Sequence, residues 1–352
     1  MIKSHRISFL DSIRGILLLQ MTLDHFSSPI SHVLYQCFGF FSAAEGFFFL
    51  SGFVGMLATI SKTARGETTR WMQKRAFRIW IYHIVSLLFL VSAALFFFPR
   101  IQHFFVALYA HPFLGAGLSA VLVHTPEWLD VLPLYVILLA LASFIFPRML
   151  RGHFLQTWAI SFALWILAQF HLREFILQIF PDWIYPGFFD FFAWQFVYMT
   201  GASAAILWKK MNILSSENSF LDRAFFVALP FCIFCFCLRH FIDSPILQPS
   251  EFLIAKDHVG LLRFANFLAF VCVISFLVRH KPALLDFGFC RILGRHSLEV
   301  YSLHTIGVYL WIATPAAIQY HLPFNVLAPI FCCCILVGVA ALLERQNKSR
   351  HK

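Results

Sequence analysis

The sequence predicts an all-α, polytopic transmembrane bundle of about ten spans, and three observations carry that prediction. The first is composition. Of 352 residues, 60% are hydrophobic, only 12% are charged, and Phe alone contributes 45. A soluble domain carries about 25% charged residues. The second is the recurrence of apolar runs of bilayer length, at approximately 7–27, 38–60, 79–98, 130–147, 154–172, 189–208, 224–241, 262–279, 294–314 and 324–343. The third is the distribution of Lys and Arg. Of the 27, 22 fall on one alternating set of connections and ends; Arg100, Arg173, Arg239, Lys256 and Arg263 fall on the other. That asymmetry places both termini in the cytoplasm. It also makes the net charge of +10 a topology signal and not a nucleic-acid signal.

The first span is expected to be retained. It begins with a basic residue and an apolar run, but Asp11 and Arg14 interrupt the run, and no A-x-A-like cleavage site follows. Its stretch from Arg6 to Phe26 holds Asp11, Arg14, Asp24 and His25. Ionisable groups in a bilayer are costly, so each is a candidate functional group. Eleven helical residues complete about three turns, which puts Arg14 and His25 on one face roughly 16 Å apart. Asp11 lies one turn before Arg14 and is placed to pair with it. Asp24 points about 100° away from His25, so it is not an automatic partner. His25 lies near the outer end of the span, and a neutral imidazole there can take a proton from a hydroxyl at physiological pH.

The second span, F-G-F-F-S-A-A-E-G-F-F-F-L-S-G-F-V-G, sets Glu45 among aromatics. Glu45 is placed either to orient or charge-balance His25, or to pair with Arg14 so that the arginine can stay buried. Ser51 is a further polar pocket candidate, and Gly46, Gly52 and Gly55 permit close helix approach. Before the third span, R-W-M-Q-K-R-A-F-R puts Arg70, Lys74 and Arg78 on one helical face. Such a face can hold the phosphates of a nucleotide-bearing donor. The positive-inside rule accounts for it equally well.

The outer segments at 99–129, 173–188 and 242–261 are long and mix aromatic, Pro and acidic residues, and the first has room for a re-entrant piece. Their aromatics suit the membrane interface, and also a sugar-binding surface. The fourth span opens H-T-P-E-W-L-D-V-L-P-L-Y, placing His124 and Asp130 on the side of His25. The sixth opens F-D-F-F-A-W-Q-F and adds Asp190, Trp194 and Gln195. The ninth, L-G-R-H-S-L-E-V-Y-S-L-H, carries Glu299 and His304. Any of these can complete a polar pocket or serve as a helix–helix hydrogen bond.

The nine Cys sit mostly inside apolar runs, as small hydrophobes do. No metal-ligand spacing, P-loop, dinucleotide turn or nucleophile elbow occurs, and no metal is expected. No linker, soluble domain or strong internal repeat is visible, so residues 1–352 read as one membrane domain.

Taken together, L-D-S-I-R-G, the L-D-H at 23–25, A-A-E-G-F-F-F-L-S-G, H-T-P-E-W-L-D-V-L-P-L-Y, F-F-A-W-Q-F, K-D-H-V-G-L-L-R-F at 256–264 and L-G-R-H-S-L-E-V-Y resemble, in order, the OpgC family. The R, ten residues, H pattern of Arg14 and His25 resembles the wider acyltransferase-3 superfamily. The resemblance implies a multi-pass protein of the bacterial inner membrane with ten spans. It implies transfer of an acyl group from cytoplasmic acyl-CoA to a hydroxyl of a periplasmic glucan or other glycan, with succinyl first and acetyl second. Acyl-CoA would be a co-substrate, with no tightly bound cofactor; the other partners would be the lipid bilayer, the glycan and glucan-synthesis proteins. In the carried-over roles His25 is the base, Glu45 and Asp130 support it, and Arg14, Arg70, Lys74 and Arg78 hold the donor. The acceptor pocket would draw on Asp11, Asp24, Ser51, His124, Asp190, Trp194, Gln195, Glu299 and His304. Two other readings remain: a transporter or flippase for a glycan or anionic metabolite, and a silent partner in a glucan-synthesis complex.

Overall fold

A long apolar helix satisfies its own backbone, which is what a chain so poor in polar residues requires in lipid. The computed structural model describes residues 8–63, 68–211, 219–242 and 248–350. Lys3, Arg6, Arg65 and Lys352 of the basic set lie outside the described residues. Every predicted span is occupied by a helix: α1 Ser8–Asp24, α2 Ala43–Thr63, α3 Thr68–Phe96, α4 Val131–Arg148, α5 Phe154–Gln169, α6 Phe191–Met211, α7 Phe220–His240, α8 Leu261–His280, α9 Ser297–Ala313 and α10 Phe324–Arg350. Six helical stretches are long and apolar enough to cross a membrane by length and composition. One of these is the continuous run Val131–Gln169, in which Gly152, at φ +102°, turns the chain between α4 and α5. The protein is a helical membrane protein, and no strand occurs among the described residues.

Helix α3 begins at Thr68, so the basic stretch before the third apolar run belongs to the same helix, with Arg70, Lys74 and Arg78 exposed. Short helices fill several of the connections between the long ones. Pro29–Leu34 is closed by a capping box in which Ser28 and Ser31 exchange side chain-to-amide hydrogen bonds. Gly288–Arg295 lies directly against α1. The stretch 99–129, which the sequence gives room for a re-entrant piece, holds three short helices, Pro99–Phe105, Val106–Ala110 and Pro112–Ala120.

The core forms where α2 and α6 cross. A Cβ on Gly52 would lie 1.9 Å from the Tyr198 carbonyl oxygen, and one on Gly201 would lie 2.0 Å from that of Phe49. Only glycine on both sides lets these backbones meet, as small residues do between membrane helices. Phe48, Tyr198, Trp194 and Phe267 pack around this crossing and are fully buried.

The ion pairs order the helix ends. Arg295 reaches Asp11 in the first turn of α1 (3.7 Å) and Glu344 near the end of α10 (2.8 Å). Arg78 of α3 pairs with Glu299 in the first turn of α9. The starts of α1 and α9 and the end of α10 therefore lie at one end of the bundle, together with the basic part of α3.

Candidate functional site at the C-terminal end of helix α1

Helix α1 stops at Asp24, and the His25 amide still reaches back to the Thr22 carbonyl at 3.4 Å. His25 therefore sits at the carbonyl end of a helix, where the macrodipole favours a developing imidazolium. Its Nδ1 lies 3.1 Å from Nε2 of His304 on α9. One nitrogen must donate and the other accept. If His25 donates from Nδ1, its Nε2 lone pair is free to receive a proton, and His304 holds the ring in place. The edge of Trp128 closes another side of His25, with ring centroids 4.9 Å apart. Trp128 adopts φ +67°, a strained conformation for a bulky residue. The segment is anchored from Tyr309, whose hydroxyl donates to the Glu127 carbonyl.

Asp24 points away from the His25–His304 contact, as the helical spacing requires. It lines two adjoining outer cavities of about 360 and 480 Å3. Ser31 and His32 are common to both; Tyr35, Arg239 and His240 complete one, and Tyr320 and Asn325 belong to the other. Hydroxyl, imidazole and carboxylate groups flanked by two tyrosine rings make this a groove suited to a polyhydroxylated ligand.

Glu45 is the main correction to the sequence reading. It pairs with Arg263 of α8, not with Arg14, and it does not reach His25. Its Oε1 accepts from Arg263 Nε, and its Oε2 accepts from the Ser42 amide and hydroxyl at 2.9 and 2.8 Å. Both ends of the pair are buried, at 0% and 1% side-chain exposure. A buried carboxylate with this many donors is a structural tie, and the partner that touches His25 is His304. Arg14 is itself buried, and its charge and that of Arg75 reach Tyr135.

Other predicted residues hold the outer segments together. His124 Nδ1 accepts the Tyr185 amide at 3.1 Å, and Asp130 Oδ2 accepts the Phe188 amide at 2.8 Å. Burial lowers the pKa of His124 below the usual histidine value. Asp190 Oδ1 accepts the Phe192 amide at 2.8 Å. Gln195 is spent on α5, accepting from the Ser161 hydroxyl at 2.6 Å and donating to the Ser161 carbonyl at 2.8 Å. Ser51 is buried, with a hydroxyl that meets no partner among the described residues. Glu299 is not in the outer pocket: it is bound by Arg78 and by the Tyr82 hydroxyl at 3.4 Å, at the basic end of the bundle. Beside it, Lys62 and Arg75 bracket the Trp71 ring at 5.4 and 5.8 Å.

Two residues to which the sequence reading gave no site role belong beside it, Arg263 and Lys256. The backbone of 256–259 is held by side chains. The Trp194 indole donates to the Lys256 and Asp257 carbonyls at 3.1 and 2.9 Å. Trp165 donates to Val259 at 3.0 Å, and Gln169 donates to His258 at 2.7 Å. Trp194 thus positions Lys256 and does not itself line the groove. The Lys256 ammonium lies 5.7 to 6.0 Å from the rings of Tyr35, Phe188 and Phe189. Burial pulls its pKa below the usual lysine value, against the pull of Glu45, Asp24 and Asp130. Next to it, Asp257 and His258 pair at 3.0 Å. Burial opposes the Asp257 charge, but His258 outweighs it and holds the carboxyl low, while Asp257 raises His258. The available signal was topological: both missed residues are among the few cations on the sparse side of the charge map.

The match to known families now decides the assignment. The family model described as OpgC protein matches residues 6–348. The chain belongs to the OpgC family. No curated protein and no solved structure matches it. In this OpgC-family chain, His25, His304 and Trp128 meet at the C-terminal end of α1, and Tyr35 joins the Lys256 cup to the Asp24 groove. All nine cysteines are free, and no group of residues that could hold a metal occurs among the described residues.

Proposed function

We propose that the chain is a multi-pass O-acyltransferase of the bacterial inner membrane. It crosses the bilayer ten times with both termini cytoplasmic. It moves an acyl group, succinyl before acetyl, from cytoplasmic acyl-CoA to a hydroxyl of a periplasmic glucan. Membership of the OpgC family supports the reaction class. The joining of the first turn of α1 to the end of α10 through Arg295 supports an even number of crossings.

The observation that carries the proposal is the His25–His304 contact beside the Asp24 groove. The acceptor binds in the groove with a sugar face against Tyr35 or Tyr320. His25 Nε2 takes the hydroxyl proton, and His304 Nε2 accepts from His25 Nδ1 and steadies the imidazolium. The sugar oxygen attacks the thioester carbonyl, the C–S bond breaks, and the proton passes from His25 to the departing thiolate. Arg14 and the basic face of Arg70, Lys74 and Arg78 hold the donor from the cytoplasmic side. The roughly 16 Å from Arg14 to His25 leaves the phosphates inside while the thioester reaches outward.

The test is mass spectrometry of periplasmic glycans from cells expressing the wild-type chain or His25→Ala at matched membrane levels. An acyl mass increment present only with the wild-type chain is the expected result. Identical glycans in both would refute the reading.

A further inference from the structure

The Lys256 ammonium is a cation without a counter-ion in contact. It carries three N–H donors, yet among the described residues no carboxylate or carbonyl accepts from it, and its neighbours are the faces of Tyr35, Phe188 and Phe189. Of the nearby carboxylates, Glu45 is held by Arg263 and Ser42, Asp130 by the Phe188 amide, and Asp24 lines the adjoining groove without an ion pair to the lysine. The lysine cannot easily withdraw, because the Trp194, Trp165 and Gln169 side chains fix the backbone of 256–259. Tyr35, one wall of the cup, also lines the Asp24 groove. A fixed ammonium in an aromatic cup beside the groove gains most from an anion arriving with the substrate.

We infer that Lys256 is the seat for a carboxylate carried on the acyl group, making it the residue that selects a dicarboxylic acyl chain over a neutral one. The inference rests on the acyltransferase reading above and extends it to donor selection. In the bound donor the thioester carbonyl lies beside His25. The far end of a four-carbon acyl chain reaches toward the Lys256 cup, where a carboxylate meets the ammonium and a methyl group leaves it unpaired. The selection is therefore two-sided: the right donor gains a charge-assisted hydrogen bond, and the wrong one buries an unmatched cation.

The test uses the purified full-length protein in lipid nanodiscs, a gluco-oligosaccharide acceptor and two donors of equal chain length, succinyl-CoA and butyryl-CoA. The readout is the ratio of kcat/KM for the two donors, with transfer followed by mass spectrometry. The wild-type chain is expected to prefer succinyl by tenfold or more. Lys256→Met is expected to lower that ratio by roughly 10- to 100-fold, the range for a hydrogen bond to a charged group. Lys256→Arg, which keeps the cation, is expected to retain most of the preference. Equal use of both donors by the wild-type chain overturns the inference without needing a variant. A Lys256→Met protein whose two efficiencies fall together, with the ratio kept, also overturns it, since Lys256 would then serve the reaction centre common to both donors. If the wild-type chain transfers neither group, the acyltransferase reading fails first, and the inference falls with it.

Discussion

Removing one half of the Glu45–Arg263 pair tests whether the structure assigns Glu45 the right job. Arg263→Met keeps the volume of the side chain and deletes its charge. Glu45 then retains only the Ser42 amide and hydroxyl as donors, in a site with 0% exposure. Two charges about 4 Å apart at an effective dielectric of about 20 attract by about 4 kcal/mol. That agrees with the 3–5 kcal/mol typically lost when a buried pair loses one partner. The double variant Glu45→Gln with Arg263→Met removes both charges and leaves no stranded carboxylate. It is expected to recover at least about 2 kcal/mol relative to the sum of the single losses. The assay is unfolding by SDS titration from mixed micelles, read by tryptophan fluorescence, for all four members of the cycle. Strictly additive single losses would show that the two residues do not depend on each other. The structural assignment of Glu45 would then be wrong.

Three further outcomes follow from the same geometry. His304→Ala removes the acceptor for His25 Nδ1 and is expected to lower glycan acylation by about 100-fold or more while leaving the protein folded, measured by mass spectrometry at matched expression. Trp194→Phe deletes the indole donor to the Lys256 and Asp257 carbonyls. It is expected to cost about 1–3 kcal/mol in the same SDS titration and to raise amide exchange in 256–259. The Asp257–His258 pair gives a pH window: the depressed Asp257 contributes above its unfolded pKa, and the raised His258 contributes below its own. The contribution is complete between roughly pH 4 and 6.5 and fades as pH rises through the raised His258 value or falls through the depressed Asp257 value. Thermal unfolding should show the wild-type chain gaining on His258→Ala at pH 5.5 relative to pH 8.5. An equal difference at both values would refute the coupling.

Much of the fold was legible because membrane helices obey one-dimensional rules. Apolar length and backbone self-sufficiency marked ten helical segments, and the observed limits of α1, α4, α5 and α8 differ from the sequence reading by three residues or fewer. The glycines of the second span announced a close helix contact, although only the structure shows that Gly201 of α6 answers Gly52. His25 and Asp24 could be separated by helical spacing alone, since a 100° rotation per residue sends neighbours to different faces.

What no periodicity could supply was partnership between distant segments. Asp11 was matched to Arg14 by spacing, but Arg295 also reaches it across nearly the whole chain length. Glu45 was offered to His25 or Arg14, and Arg263 took it, 218 positions away. His25 found His304 across 279 positions. The cations on the sparse side of the charge map carried the one clue that was underused. Arg173, Arg239, Lys256 and Arg263 each have a specific contact: Glu174, the Tyr35 and Phe40 rings, the aromatic cup and Glu45. Sequence alone determined that this is a helical membrane protein and where its helices lie, because burial in lipid is decided residue by residue. Which charge meets which was decided only by tertiary structure, because an ion pair is a property of two helices crossing at one depth, and crossing geometry is set by the packing of the whole bundle.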